Sequence, residues 1–142
     1  MRPRTLAEAV NRIDAGEAYD VVLAEFVDSF LMDRDAAARY ASIAIEPPRV
    51  KDAKLNALVG AISEYLAKQY RLPRVPPWTS ESWRYLDEPW FTTSSESAAM
   101  REYLSFVSPA EFRSRNIFTE ERPLRRARSH LPYAETASTA AE

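Results

Sequence analysis

Apolar residues recur every three to four positions through most of the chain, the period that gathers them on one face of a helix. The first stretch is Leu6, Ala9, Val10 and Ile13. It follows Thr5-Leu6-Ala7-Glu8, a hydroxyl with a carboxylate three residues on, which is a capping-box pattern. Gly16 stands where a left-handed residue would end the helix, so the pattern predicts a helix over about 5–15. Val22, Leu23, Phe26, Val27, Phe30 and Leu31 keep the rhythm most clearly, with Glu25, Asp28 and Asp33 on the other face. They predict a helix over about 19–32, capped by Asp20. An alanine-rich helix over about 34–45 stops before Pro47-Pro48, because proline disfavours helical geometry in the residue before it. Leu55, Leu58, Val59, Ile62, Leu66 and Tyr70 mark the longest helix, about 51–69. Gly60 inside it costs about 1 kcal/mol relative to alanine; a close helix–helix approach is the expected reason.

The pattern then becomes irregular. Residues 71–79 contain three prolines and few small polar residues, and so predict a stiff connector packed on the body. A short helix is expected at about 80–86, then an irregular segment through Asp87-Glu88-Pro89-Trp90-Phe91. Ala99, Met100, Tyr103, Leu104 and Val107 restore the helical spacing over about 96–107. Ser108-Pro109-Ala110-Glu111 reads as a second capping box with proline at the first helical position, opening a short helix to about 114. Arg115-Asn116-Ile117-Phe118 is expected as a loop or short extended piece, and Thr119 as the cap of a last helical turn to about Arg128. From Ser129 the chain is small and polar without an apolar stripe, which predicts a disordered tail over 129–142. The expected fold is all-α, a single domain of five to seven helices over 1–128 with proline-rich connectors. A length of 142 residues leaves too little chain for two independent cores.

Composition removes many functions. No cysteine is present, which excludes disulfides, thiolate metal sites and cysteine nucleophiles. Glycine occurs only at positions 16 and 60, so no phosphate-cradling glycine loop exists. The basic start, Met1-Arg2-Pro3-Arg4, leads into no apolar run, and no apolar stretch approaches the roughly 20 residues that span a bilayer. A cytoplasmic protein without a membrane partner is expected. Net charge is −2, too small for a global basic field. The distribution is uneven, however. Residues 1–111 hold 13 basic and 17 acidic side chains, whereas residues 112–134 hold six arginines against two glutamates.

Candidate chemistry is sparse. The single histidine, His130, falls in the expected tail, where it lacks the fixed geometry that catalysis or metal binding needs. The acidic groups Asp14, Glu17, Asp20 and Asp28, Asp33, Asp35 fit helix capping and solvation better than a magnesium site, which wants an accompanying phosphate-binding element. No catalytic residue, no metal ligand and no cofactor are therefore expected. Two features remain. Trp78, Trp83, Tyr85, Trp90 and Phe91 cluster within fourteen positions, as core lids or as partner-facing anchors. The arginines serve carboxylates of the fold, an acidic protein surface, or phosphates of nucleic acid; Arg113 and Arg115 flank a helix end and suit the first role. No aromatic stacking motif of the RNA-binding kind accompanies them, and no helix-turn-helix signature precedes a basic helix.

Pro77-Trp78, Leu86-Asp87-Glu88-Pro89-Trp90-Phe91, Tyr103-Leu104, Ser108 through Phe118, and Leu124-Arg125-Arg126-Ala127 together resemble a group of small, largely actinobacterial proteins of uncharacterised function. The resemblance covers about residues 5–128, and its most specific part is Phe112 to Phe118. Such proteins are often encoded beside a nucleotidyltransferase-like protein, an arrangement resembling a toxin–antitoxin operon with this protein in the antitoxin position. The resemblance implies a protein that binds and restrains a nucleotidyltransferase-like toxin and is not itself an enzyme. The expected partner-facing residues are Trp90, Phe91, Arg113, Arg115, Asn116, Phe118, Arg125 and Arg126. The rival expectation is a DNA-binding transcriptional regulator that uses the arginine-rich segment.

Overall fold

Six α-helices and two 3-10 turns account for more than half of the described backbone, and the only strand pairing among the described residues is two residues long. The computed structural model describes residues 1–126; the expected tail over 129–142, with His130, lies outside them. Two compact units emerge, Met1–Pro48 with the return segment from Leu124, and Arg49–Pro123. No helix among the described residues is long and apolar enough to cross a membrane.

The first unit is built from α1 (Leu6–Asp14), α2 (Tyr19–Met32) and α3 (Ala36–Ala44). Thr5 caps α1 by accepting from the Glu8 N–H at 3.0 Å, while the Glu8 carboxylate receives the Arg4 N–H. Gly16 takes the positive φ of 117° expected at the helix end, and its N–H donates to the Ile13 carbonyl. The six apolar residues of α2 are all buried, with Phe26 and Phe30 in ring contact at 6.4 Å. Asp20 is not the cap of α2. The helix begins at Tyr19, and among the described residues the Asp20 carboxylate accepts only from the neighbouring Val21 N–H. The other end of α2 has no glycine. Arg39 of α3 closes it by donating to the Phe30, Leu31 and Asp33 carbonyls, with its guanidinium 5.3 Å from the Phe30 ring centre. A cation on the orphan carbonyls of a C-terminus is favoured by hydrogen bonding and by the helix dipole. Asp35 accepts from Ala38 N–H to cap α3.

The second unit is organised by α4 (Ala53–Gln69), which is buried on most sides. Asp52 caps it, and Asn56 exchanges two hydrogen bonds with the backbone of Val50, fixing the approach of the chain. At its end Arg71 takes φ 54°, a left-handed conformation normally given to glycine, and the Leu72 N–H returns to the Ala67 carbonyl at 2.8 Å. The proline connector leads into two 3-10 turns, Pro77–Ser80 and Ser82–Arg84, where a single short helix was expected. Strand β1 (Trp90–Phe91) pairs in parallel with β2 (Ile117–Phe118), Trp90 opposite Ile117 and Phe91 opposite Phe118. Between them lie α5 (Ala98–Val107) and α6 (Ala110–Arg113). Ser108 does not form the expected capping box. Its hydroxyl accepts the Thr119 N–H at 2.8 Å and lies within donating distance of the Leu104 and Thr119 carbonyls, so it ties the end of α5 to β2. The helical turn expected from Thr119 is also absent: the described part of that segment, through Arg126, is irregular.

Candidate docking surface

The segment Phe112–Phe118 shows most plainly how sequence and placement part. Phe112 is buried edge-on against Tyr65 of α4 at 5.6 Å. Arg115, expected to face a partner, is 1% exposed. Its guanidinium donates to Glu64 at 2.6 Å, to the Glu111 carbonyl at 2.8 Å and to the Thr79 carbonyl at 2.8 Å, and stands over the Tyr85 ring. An arginine can be buried only where its fork of donors meets acceptors, and two carbonyls and a carboxylate supply them. Its Nε has no hydrogen-bond partner among the described residues. The expectation that Arg113 or Arg115 serves a carboxylate inside the fold holds for Arg115; Arg113 is exposed.

A second arginine, Arg84, is equally buried, and sequence reasoning did not single it out. It lies over Trp83 at 3.8 Å and Trp78 at 4.7 Å, and donates to the Asn56 carbonyl at 3.3 Å. Gly60 is explained by this pair, one of them carried on the 3-10 turn Ser82–Arg84 that packs against α4. A Cβ there would stand 3.1 Å from Arg115 Nε and 3.3 Å from Arg84 Cβ. Burial alone pushes the Glu64 carboxyl up, but hydrogen bonds from Arg115 and Lys68, with their charges, outweigh it and hold the group below the ordinary carboxylate range. Lys68 reaches Glu64 at 2.9 Å and Glu111 at 3.6 Å.

Asn116, also expected at the interface, instead shapes a turn. It takes φ 64°, a region asparagine tolerates, and its side-chain amide donates to the Leu86 carbonyl at 2.8 Å. Trp90, Phe91 and Phe118 are each half-buried. Phe91 stacks on Phe118 at 4.9 Å, while Arg101 covers the Phe91 ring and Lys54 the Trp90 ring. The fourteen-residue aromatic cluster therefore divides. Trp78 is core, Trp83 is half-buried with the guanidiniums of Arg49 and Arg84 over its ring, and Tyr85 is 38% exposed. Arg125 and Arg126 belong to the other unit. Arg125 is exposed, whereas Arg126 forms a two-point pair with Asp28 of α2, both contacts at 3.0 Å, and that contact raises its pKa.

The most uncovered apolar surface of the second unit lies elsewhere. Of α5, only Leu104 is buried; Met100 is 38%, Tyr103 52% and Phe106 76% exposed. At about 100° per residue, Phe106, Ala99, Tyr103, Val107 and Met100 span an arc of about 120°, with Leu104 beyond its edge. The helix thus rests on the fold by one rim of its stripe, and the rest faces outward. The sequence does show the stripe, and Phe106 widens it beyond the positions first assigned to it.

Elsewhere, a groove of about 580 Å³ in the first unit is lined by Met1, Arg2, Arg4, Ser29, Met32 and Asp33. Among the described residues, Asp33 is its one acid, beside Arg2 and Arg4. Among the described residues no three of histidine, cysteine, aspartate and glutamate are gathered as metal ligands. Compared with known proteins, the chain matches no family model, no curated protein and no solved structure.

Proposed function

We propose that this chain is a protein-binding module that catalyses nothing itself, acting as the antitoxin-like partner of a nucleotidyltransferase-like toxin. The observation that carries the binding reading is the uncovered arc of α5, where three large apolar side chains of one helix stand in water. Clustered exposed apolar side chains mark interaction sites, and aromatic residues such as Tyr103 and Phe106 are favoured anchors. The identity of the partner rests on the sequence resemblance alone.

Two placements favour a protein over DNA as the partner. Arg115 is withdrawn into the core and Arg126 is committed to Asp28, so the arginine-rich segment offers fewer free cations than its composition promises. The test is purification of the tagged chain from its own cells with and without nuclease treatment, followed by assay of any co-purified enzyme. A stoichiometric nucleotidyltransferase-like partner, inactive in the complex and active when released, is the expected result. A partner that stays fully active in the complex, or DNA retained in place of protein, overturns the reading.

A further inference from the structure

The arc on α5 differs from an ordinary solvated helix face in its rim as well as its centre. Along the helix, Glu102 lies beside Phe106 on the side away from Leu104, and Glu96 precedes the first turn. Both are exposed, and neither has an ion pair among the described residues. The one cation of the helix, Arg101, is turned to the other side and covers Phe91. The uncovered surface is therefore apolar at its centre and acidic at its free edge.

That combination narrows the occupant. Carboxylates at the edge repel a phosphate backbone and an anionic lipid surface. A second copy of this chain is a poor fit. In a two-fold contact both copies use the same patch, and three large side chains on a ten-residue helix fall well short of the roughly 800 Å² per partner of a stable interface. A different protein can extend its contacts beyond the helix. The ridge of i, i+3 and i+6 side chains (Met100, Tyr103, Phe106) is the relief that another helix packs against.

We infer that α5 is the seat for an amphipathic helix of the partner protein, which lays its apolar face on Met100, Tyr103 and Phe106 and sets lysine or arginine against Glu96 and Glu102. This inference rests on the reading of the chain as a protein-binding module and specifies where and with what chemistry the binding occurs.

Two synthetic helical peptides with the same leucine stripe, one flanked by lysines and one by glutamates, test it by fluorescence anisotropy against the full chain. The lysine peptide should bind, with affinity falling at least tenfold in Phe106→Ser and at least threefold in Glu102→Lys. The glutamate peptide should bind at least tenfold more weakly than its lysine counterpart. Equal binding of both peptides, or lysine-peptide binding unchanged in Phe106→Ser, overturns the inference. Capture of the cellular partner by the Tyr103→Ser/Phe106→Ser variant as efficiently as by wild type overturns the α5 seat while leaving the protein-binding reading standing. Failure of wild type to capture any protein defeats that reading itself. A concentration-dependent dimer abolished by Phe106→Ser would also overturn the inference, by giving the seat to a second copy. Circular dichroism of each variant verifies that the helices are retained, as expected for substitutions at exposed positions.

Discussion

Replacing Arg115 by methionine separates a structural arginine from a surface one. Methionine keeps most of the aliphatic stem, so little volume is lost. What disappears is the donor fork, which leaves the buried Thr79 carbonyl, the Glu111 carbonyl and part of the Glu64 carboxylate without their partner. Removing one member of a buried ion pair costs about 3–5 kcal/mol. Glu64 keeps Lys68 and some solvent contact, which places its share at the lower end. The Thr79 carbonyl, left unpaired while Glu111 keeps the Ser114 hydroxyl, adds about 1 kcal/mol. A loss of about 3–4 kcal/mol is expected; with a urea dependence of about 2 kcal/mol per molar, the midpoint falls by about 1.5–2 M. Arg113→Ala, two residues away and exposed, should change stability by less than about 0.5 kcal/mol. The double variant Arg115→Met/Glu64→Leu should cost less than the two single losses together, because no uncompensated charge remains. If Arg115→Met loses less than about 1 kcal/mol, or no more than Arg113→Ala, the guanidinium is solvated and this account of the core is wrong.

Three further outcomes follow from the same physics. Glu64 is held below the ordinary carboxylate range, so the stability it contributes is present above about pH 4.3, the unfolded value, and is lost as pH falls through the lower folded value; a urea midpoint measured from pH 5 to 3 should drop less in Glu64→Gln than in wild type. Arg71 holds a left-handed backbone at φ 54°, so Arg71→Gly should raise stability by about 0.5 kcal/mol, the relief of strain exceeding the added unfolded-chain entropy, and a lower melting temperature would contradict it. Arg39→Ala should cost about 2 kcal/mol by uncapping α2 and removing the cation from the Phe30 ring; Arg39→Lys should recover less than half, since a single ammonium cannot span three carbonyls, and full recovery would show that charge alone caps the helix.

The helices were legible because burial of a helix face imposes a period on the sequence, and α2 begins and ends where its apolar rhythm does. Local capping was partly legible. Thr5 and Gly16 act as their positions suggest, but Ser108 has a distant competitor in the Thr119 N–H and leaves its local partner. The parallel pairing of β1 with β2 has no periodic signature, being two residues long and joined across two helices. The candidate site was legible least. An apolar stripe reports that a helix has a face to hide but not how much of it the fold covers, and α5 covers only Leu104. Nor does composition distinguish Arg115 from Arg113. What distinguishes them is a glycine on α4 far away in sequence, which leaves room for one guanidinium.

The parallel clamp between β1 and β2 makes the stretch from Thr92 to Asn116 an excursion whose two ends are stapled side by side, by Trp90 N–H to the Asn116 carbonyl and Thr92 N–H to that of Phe118. Loop-closure entropy grows only slowly with loop length. Such an excursion can therefore lengthen, shorten or change its outward residues at little cost to the α4 core, provided Leu104, Ser108, Phe112 and Arg115 keep their anchors. The arrangement behaves as a cassette: the scaffold stays fixed while the outward residues of α5 are free to change.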